Sequence, residues 1–187
     1  MKKFFTYLLA FAAVTTVISC SKDDDEPMMG FSNKMTINGQ TEEVKSAFYG
    51  EYPVIQDDEA GVELYLFKDA FTECPEDDVL SFAIYLDVSE SLFGKTIDLS
   101  KPITKGSKLE PYLYMAALNI KGFDIEYYDD FIDATDEKHN DITVKAGSLT
   151  ITRSGDNFTV KLSVTLSNGQ SASVDWKGKA KKTDFGE

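Results

Sequence analysis

The clearest pattern in the chain is an alternation of apolar and polar residues over 158–166. Every second residue there is apolar, and the residues between them are threonine, lysine or serine. A period of two predicts a β-strand with one face in a core and the other in water. The segment Ser154-Gly155-Asp156-Asn157 before it and the pair Asn168-Gly169 after it are typical of tight turns, the second of a two-residue hairpin.

Flanking strands at 147–153 and 170–180 complete a predicted three-stranded meander. The side chains expected to face the core are Leu149, Ile151, Phe158, Val160, Leu162, Val164, Leu166, Ala172, Val174 and Trp176.

Earlier segments repeat the pattern and predict strands at 35–38, 44–49, 62–66, 80–88, 112–119 and 123–128. Lys121-Gly122 adds another hairpin signal. Residues 131–138 are predicted to make one short turn of helix. The fold class is therefore all-β, an antiparallel meander of about 8–10 strands. It closes either as a β-sandwich or as an up-and-down, lipocalin-like barrel, and strand number does not distinguish the two.

The N-terminus has a different pattern. Lys2 and Lys3 precede a run without charge at 4–18, which is too short for a spanning helix of ~20 residues but has the length of a signal-peptide core. The run ends in Val17-Ile18-Ser19-Cys20, which resembles the lipobox of bacterial lipoproteins. The resemblance implies cleavage between Ser19 and Cys20 and lipid on the Cys20 thiol. The membrane is then a partner of the protein, which is attached to it through these acyl chains.

An acidic segment follows Cys20. Its charges repel one another and stay hydrated, which favours an extended tether. It also resembles the export signal of surface-exposed lipoproteins of the Bacteroidota, which implies an outer-membrane protein that faces the cell exterior. The residues that carry this resemblance are Ser21, Lys22, Asp23, Asp24 and Asp25. The predicted organisation is a signal peptide at 1–19, a lipidated tether at 20–33 and one all-β domain at 34–187.

Charge and cysteine content narrow the function. The formal net charge is −13, and loss of Lys2 and Lys3 makes it −15, which excludes nucleic acid as an expected partner. The chain has two cysteines, so lipidation of Cys20 leaves Cys74 without a partner for an intrachain disulfide. Cys74 lies among acidic residues, which raise a thiol's pKa, so a reactive thiolate is not expected.

A second resemblance covers the C-terminal meander. The run at 147–160, the segment Leu166-Ser-Asn-Gly-Gln and the segment Trp176-Lys-Gly-Lys-Ala resemble the end of small all-β lipoproteins of gut Bacteroidota, some of them lipocalin-like. This resemblance implies a fold and a compartment, and it transfers no catalytic residue.

Catalytic motifs are missing from the sequence. The one histidine, His139, lies in a polar segment, and there is no Gly-x-Ser-x-Gly, His-Glu-x-x-His or Cys-x-x-Cys motif and no glycine-rich phosphate loop. The sequence therefore predicts a protein that is not an enzyme and needs no cofactor. A glycosidase pair of carboxyl groups stays open, because such a pair is defined by spatial separation.

Two groups of residues are candidates for binding. Carboxylates are the oxygen ligands that calcium takes, and a cluster of them lies at Asp129, Asp130, Asp133, Asp136 and Glu137. Aromatic side chains stack on sugars or line apolar pockets, although they also fill β cores. The candidate ligand-binding tyrosines are Tyr112, Tyr114, Tyr127 and Tyr128.

Three functions stay open on this basis. The first is a displayed binding module for a glycan, a lipid or another small ligand. The second is a structural subunit of an envelope or fimbria-like assembly with a protein partner, and the third is a glycoside-acting enzyme. A deep pocket favours the first, an exposed apolar patch or a donated strand the second, and a cleft with paired carboxyl groups of raised pKa the third.

Replacement of Cys20 by alanine is expected to release the protein from the membrane fraction. A single chain of myristoyl length binds a bilayer only reversibly, at ~0.8 kcal/mol per buried methylene, so durable attachment needs the two or three chains that this cysteine would carry. Fractionation of cells with labelled palmitate measures the effect. A Cys20→Ala variant that stays in the membrane and still incorporates palmitate would refute the anchor, and Cys74→Ala is the matched control.

Overall fold

The computed structural model describes residues 30–55, 58–75, 82–101, 109, 111–118, 124–128, 131–134 and 142–184; for 117, 118, 124–128 and 131–134 it describes the backbone. The described residues form thirteen β-strands and one short 3₁₀-helix, Glu90–Leu92. The strands are β1 Lys34–Ile37, β2 Gln40–Glu43, β3 Ser46–Tyr52, β4 Gly61–Phe67, β5 Ala83–Ser89, β6 Thr96–Asp98, β7 Leu113–Leu118, β8 Asp124–Tyr128, β9 Phe131–Ala134, β10 Val144–Ser154, β11 Asn157–Leu166, β12 Ser171–Lys179 and β13 Lys181–Lys182.

These strands belong to two sheets. Sheet A has six strands in the order β2-β1-β12-β11-β10-β6, and sheet B has seven in the order β13-β3-β4-β5-β7-β8-β9. Neighbouring strands are antiparallel except for β13 and β3, which run parallel. The chain passes from sheet A to sheet B at Ala180, between β12 and β13, so the two sheets are joined at that corner.

One apolar core lies between the sheets. Met35, Leu162 and Val174 from sheet A share a cluster with Leu64 and Leu86 from sheet B, and all five are buried. Because successive side chains of a strand point to opposite faces, each sheet contributes every second residue to this cluster. The molecule is therefore a β-sandwich, one of the two closures that the sequence left open.

All nine predicted strands are present, and the predicted core-facing residues of the C-terminal meander are buried. The four further strands, β2, β6, β9 and β13, have two to four residues each, too few for an alternation to be visible in sequence.

The prediction of a helical turn at 131–138 is wrong for Phe131–Ala134, which pairs with β8 as β9. Pairing with a neighbouring strand decides the structure there, and the sequence does not reveal that pairing. Leu80 and Lys121-Gly122 lie outside the described residues.

Of the two turns predicted around β11, one has the expected length and the other is longer than predicted. Gly155 and Asp156 join β10 to β11 as expected, with Ser154 opposite Asn157. The turn at Asn168-Gly169 is wider than the predicted two residues, because Leu166 N–H donates to the Gln170 carbonyl across a three-residue loop. Of its residues only Gly169 has a positive φ, 86°, whereas a two-residue turn of the predicted type needs two such residues.

The segment before β1 is bound to sheet A. The amide of Ser32 donates to the Asp175 carboxylate at 2.9 Å, and the Asn33 side chain accepts the Lys177 amide at 3.1 Å. The Lys161 ammonium lies 4.7 Å from the centre of the Phe31 ring. The sandwich thus includes contacts of Phe31, three residues before the predicted start of the domain.

An arginine ties the two sheets together beside the corner. The Arg153 guanidinium on β10 lies over the ring of Tyr49 on β3, at 4.6 Å, and over that of Phe158, at 5.3 Å. It donates to Glu51 at the end of β3, and Glu51 is also held by Lys182 on β13. Because the Arg153 side chain is only 16% exposed, this charge is largely shielded from water and interacts more strongly than a surface pair.

Arg153→Met is expected to lower the free energy of unfolding by about 1–2 kcal/mol, since it keeps the apolar stem but removes the cation–π contact and the charged hydrogen bond to Glu51. Urea denaturation followed by tryptophan fluorescence measures the change. The exposed Lys145 of the same strand is the control, and Lys145→Met is expected to change stability by less than about 0.5 kcal/mol. Equal losses for both variants would contradict the role given to Arg153.

Candidate functional site

The outer face of sheet B carries the candidate site. Cross-strand register places Tyr52 opposite Gly61 and Gly61 opposite Ser89, and the Ser89 hydroxyl accepts the amide of Tyr112 at 2.7 Å. Two small residues therefore lie between two tyrosines in one row across the sheet. The next row toward the middle contains Gly50, Glu63, Asp87 and Tyr114 in register.

The two tyrosines meet above Gly61. Their rings stack with centres 5.7 Å apart and planes 24° from parallel. A methyl group at Gly61 would lie 2.3 Å from the Tyr112 hydroxyl and 2.5 Å from the Tyr52 hydroxyl, so this close approach requires glycine. The Tyr52 hydroxyl donates to Asp87. The Tyr112 hydroxyl is buried and has no hydrogen-bond partner among the described residues.

Glu63 and Asp87 form a pair of carboxyl groups on adjacent strands. They are directly opposite in the register of β4 and β5, where Cβ atoms lie roughly 4.5–5.5 Å apart. Burial, then the charges of Glu63 and Asp58, raise the pKa of Asp87 to about 7. Burial also raises the pKa of Glu63, and a hydrogen bond with Tyr85 opposes that shift. The pair is thus half-buried and destabilised when both groups are ionised.

The loop between β3 and β4 covers one side of this face. We name residues 53–55 and 58–60 of this loop the cover segment. Its Glu59 is buried and accepts the Ser91 hydroxyl, and the Ala60 carbonyl accepts the amide of Glu90 at 2.8 Å. These contacts fix the segment against the 3₁₀-helix, and residues of the cover segment line a hollow on this face of the sheet.

The hollow has a volume of about 700 Å³. We name it the tyrosine–carboxyl pocket, and its walls are Tyr52, Tyr112, Gly50, Pro53, Ile55 and Thr183 together with six acidic residues. The acidic residues are Glu51, Asp58, Glu59, Glu63, Asp87 and Asp184. No lysine, arginine or histidine is among the described residues that line it. The pocket therefore combines two tyrosines with a strongly acidic lining.

Aromatic residues continue across the outer face beside the pocket. Tyr85 packs against Tyr65 at 4.6 Å and against Tyr114 at 5.7 Å between ring centres. Further along, Cys74 packs on a small cluster of Phe48, Phe67 and Ala83. Burial first, then the charge of Glu63, raises the pKa of the Cys74 thiol to about 11; the pKa is raised as the sequence predicts, but burial is the main cause.

The predicted tyrosines have different positions. Tyr112 lines the pocket, and Tyr114 lies in the adjacent row and packs on Tyr85. Tyr127 and Tyr128 lie on β8, opposite Ile132 and Phe131, and their side chains are outside what is described. Tyr52 was one of the further tyrosines that the sequence suggested as aromatic platforms, whereas the sequence did not point to Gly61, Glu63 or Asp87. A signal was available, since Glu63 and Asp87 are acidic residues on the polar face of two strongly alternating strands.

The predicted calcium cluster is not tested. Asp133 lies on β9 opposite Glu126, and Asp129, Asp130, Asp136 and Glu137 lie outside the described residues. In the described part of the chain, no group of three or more His, Cys, Asp or Glu side chains is arranged to hold a metal ion.

Comparison of the chain with family models, curated proteins and solved structures yields no match. Within the described ranges, no helix has the length and apolar character needed to cross a membrane. The residues that carry the predictions of a lipid anchor and an export signal, Val17 to Asp25, precede the described part of the chain.

Asp87→Asn is expected to stabilise the protein at pH 8 and to leave it nearly unchanged at pH 4. Below about pH 4 the Asp87 carboxyl is protonated in the folded and the unfolded chain alike. As pH rises from 4 to 7, the unfolded chain releases this proton while the folded chain retains it, so folding stability falls across that window. The asparagine removes this loss, on the order of 2–4 kcal/mol, and its carbonyl can still accept the Tyr52 hydroxyl.

Thermal unfolding at pH 4, 6 and 8 measures this effect. Asp98 on β6 is the matched control, because Lys101 and Ser100 hold its pKa at about 2, below the usual value. The Asp98→Asn variant is therefore expected to gain no stability as pH rises. A pH dependence of Asp87→Asn that parallels the unsubstituted protein would show that Asp87 titrates normally.

Proposed function

We propose that this chain is a lipoprotein anchored in the outer membrane through Cys20, whose sandwich is a non-catalytic binding module facing the cell exterior. In this proposal the ligand is a small polar molecule, such as a glycan, held in the tyrosine–carboxyl pocket. The observation that carries it is the stacked Tyr52–Tyr112 pair beside the Glu63–Asp87 pair, in one hollow of about 700 Å³.

The pocket has the size and chemistry of a ligand site. Small-molecule sites have volumes of about 300–1,000 Å³ and combine aromatic walls with a few polar groups. The buried Tyr112 hydroxyl supports the proposal further, because a polar atom without a partner costs roughly 1–3 kcal/mol in a protein interior. A ligand that hydrogen-bonds this hydroxyl would recover that loss.

The acidic lining favours a polar ligand over an acyl chain. An apolar tail placed beside Glu63 and Asp87 would remove water from both carboxyl groups without offering them a hydrogen bond. A ligand with hydroxyl or amine donors satisfies the carboxylates, and its apolar ring face can stack on a tyrosine. We therefore rank glycans and other polar ligands above lipids.

An assembly subunit is less well supported by the sheet edges. A donated or added strand needs a long free edge, whereas the outermost strands β2, β6, β9 and β13 have only four, three, four and two residues. Acidic side chains of β2, Glu42 and Glu43, further disfavour edge pairing. The exposed large apolar residues of the described part, Val54 and Ile55, belong to the cover segment beside the pocket.

A glycoside-acting enzyme is the second candidate, and the Glu63–Asp87 pair is the observation in its favour. A retaining glycosidase uses two carboxyl groups about 5–5.5 Å apart, one of them with a raised pKa. We rank this function lower because burial raises the pKa of both groups and the charge of Glu63 raises that of Asp87 further, whereas the reaction needs one ionised carboxylate as nucleophile. Incubation with 4-nitrophenyl glycosides at pH 5–7 distinguishes an enzyme from a non-catalytic binding module. Turnover that is abolished by Glu63→Gln would show that the protein is a glycoside-acting enzyme and would refute the binding proposal.

Tyr112→Phe is expected to weaken ligand binding about tenfold without lowering the melting temperature. The substitution keeps the stacked ring and removes only the buried hydroxyl, so it deletes an interaction with the ligand while relieving an unsatisfied group in the free protein. A glycan and small-molecule array with the full chain purified in detergent identifies binders, and calorimetry then compares the variants.

Gly61→Ala is the complementary variant, since its methyl group displaces both tyrosine hydroxyls, and it is expected to abolish binding. The control is Ser163→Ala on the outer face of sheet A, which leaves the pocket intact. An array without binders, or binding that Tyr112→Phe and Gly61→Ala leave unchanged, would rule out the pocket as the ligand site.

A further inference from the structure

Two carboxyl groups of the tyrosine–carboxyl pocket, those of Glu63 and Asp87, have no cationic partner among the described residues. Glu63 and Asp87 oppose each other across β4 and β5, and Asp58 of the cover segment adds a third negative charge that acts on Asp87. In the described part of the chain, neither Glu63 nor Asp87 forms an ion pair. Like charges directly opposite in a sheet are destabilising, so a bound cation would be stabilised strongly here.

A third carboxyl group of the same pocket, that of Glu51, provides a contrast. Glu51 lines the pocket as well, but it is neutralised by Arg153 and Lys182. These two contacts hold the pKa of the Glu51 carboxyl below its usual value. Within the described ranges, cations therefore neutralise Glu51, whereas none forms an ion pair with Glu63 or Asp87.

The aromatic wall is suited to a cation as well. The face of a tyrosine ring attracts an ammonium group within about 6 Å of its centre, and this attraction increases as water is removed. The Tyr112 hydroxyl, buried and without a partner in the described part, can accept a hydrogen bond from such a group. Tyr52 already donates its hydroxyl to Asp87, so Tyr112 is the tyrosine whose hydroxyl is left for the ligand.

A bare metal ion fits this arrangement poorly. Calcium takes six to eight oxygen ligands, and the described residues hold no group of three or more side chains placed for a metal. A hollow of about 700 Å³ is also far larger than an ion needs. Two carboxylates and an aromatic pair suit a cation that brings its own carbon framework.

From these observations we propose that the ligand of the tyrosine–carboxyl pocket is a small organic cation that carries a primary ammonium group. This inference rests on the proposed function and specifies its ligand class. The ammonium group donates to Glu63 and Asp87, and the carbon framework of the ligand lies against Tyr52 and Tyr112. Amino sugars and aliphatic polyamines both have this chemistry.

A matched pair of sugars tests the charge directly. Glucosamine and N-acetylglucosamine share one ring, and acetylation removes the positive charge. With the full chain in detergent at pH 7, calorimetry is expected to give at least tenfold tighter binding of glucosamine than of N-acetylglucosamine.

Spermidine is the second probe, and its affinity relative to glucosamine distinguishes a polyamine site from an amino-sugar site. Calcium chloride alone is the third probe, and no heat of binding in the pocket is expected from it.

Neutral isosteres of the two carboxylates locate the bound cation. Glu63→Gln and Asp87→Asn are each expected to weaken binding of the tighter cation about tenfold or more, as removal of one member of a close charge pair does. Asp98→Asn and Glu43→Gln make the same chemical changes on sheet A and are expected to leave affinity unchanged.

The pH dependence provides an independent readout. Groups near Asp87 are Glu63 on β4, Tyr114 on β7, Tyr52 on β3, Tyr85 on its own strand and Asp58 in the cover segment. The two primary ammonium groups of spermidine stay protonated between pH 8 and pH 5.5, so protonation of Asp87 is expected to weaken its binding about tenfold over that interval. In Asp87→Asn this dependence is expected to flatten.

Failure of this inference is distinguishable from failure of the proposed function. Neutral sugars that bind and are lost in Gly61→Ala, with no preference for the amine, would refute the cation and leave the binding module in place. Calcium that binds and depends on Glu63 and Asp87 would replace the organic cation with a metal. If none of the probes binds, or if binding is insensitive to the substitutions at Gly61, Glu63 and Asp87, the cationic ligand and the pocket as its binding site are both refuted.

Discussion

The packing of the two sheets against each other, through one face of each, is the interaction on which the rest of the molecule depends. Leu64 and Leu86 of sheet B are buried against Leu162 and Val174 of sheet A, and the alternation of the strands makes each such residue leave its neighbour on the opposite face. Glu63 and Asp87 are on the outer face for that reason. The core therefore decides which residues are available to a site without containing any part of it.

The outer face of sheet B combines features that reduce stability. Opposed carboxyl groups, a buried hydroxyl without a described partner and a glycine inside a strand each lower the free energy of unfolding. Their concentration in one hollow, while the core between the sheets is continuous and apolar, is typical of a site that is shaped for a ligand. The stabilising contacts of Arg153 with Glu51 lie next to this hollow and hold its edge in place.

Anchor and pocket are proposed to act together. Acyl chains on Cys20 would hold the module at the bilayer, and the strongly negative charge of the chain would raise the local concentration of small cations around it. A pocket that prefers an ammonium group would then take its ligand from that layer. Salt weakens such steering over distances beyond about 8–10 Å, so long-range attraction and binding in the pocket differ in their salt dependence.

The sequence by itself determined the strands with long alternation, their buried faces and the turn at Gly155-Asp156, because these depend on neighbours along the chain. It could not reveal β2, β6, β9 and β13, whose few residues are strands only because a partner lies beside them.

The sequence also could not choose between sandwich and barrel, since the pairing of β1 with β12 and of β13 with β3 joins residues more than a hundred positions apart. The pocket belongs to the same class of feature. The sequence suggested Tyr112 and Tyr52 as aromatic residues, but they form one site with Gly61, Glu63 and Asp87 only through cross-strand register and the fold of the cover segment. Register is set by tertiary packing, and no local pattern encodes which residues from separate strands will share a row.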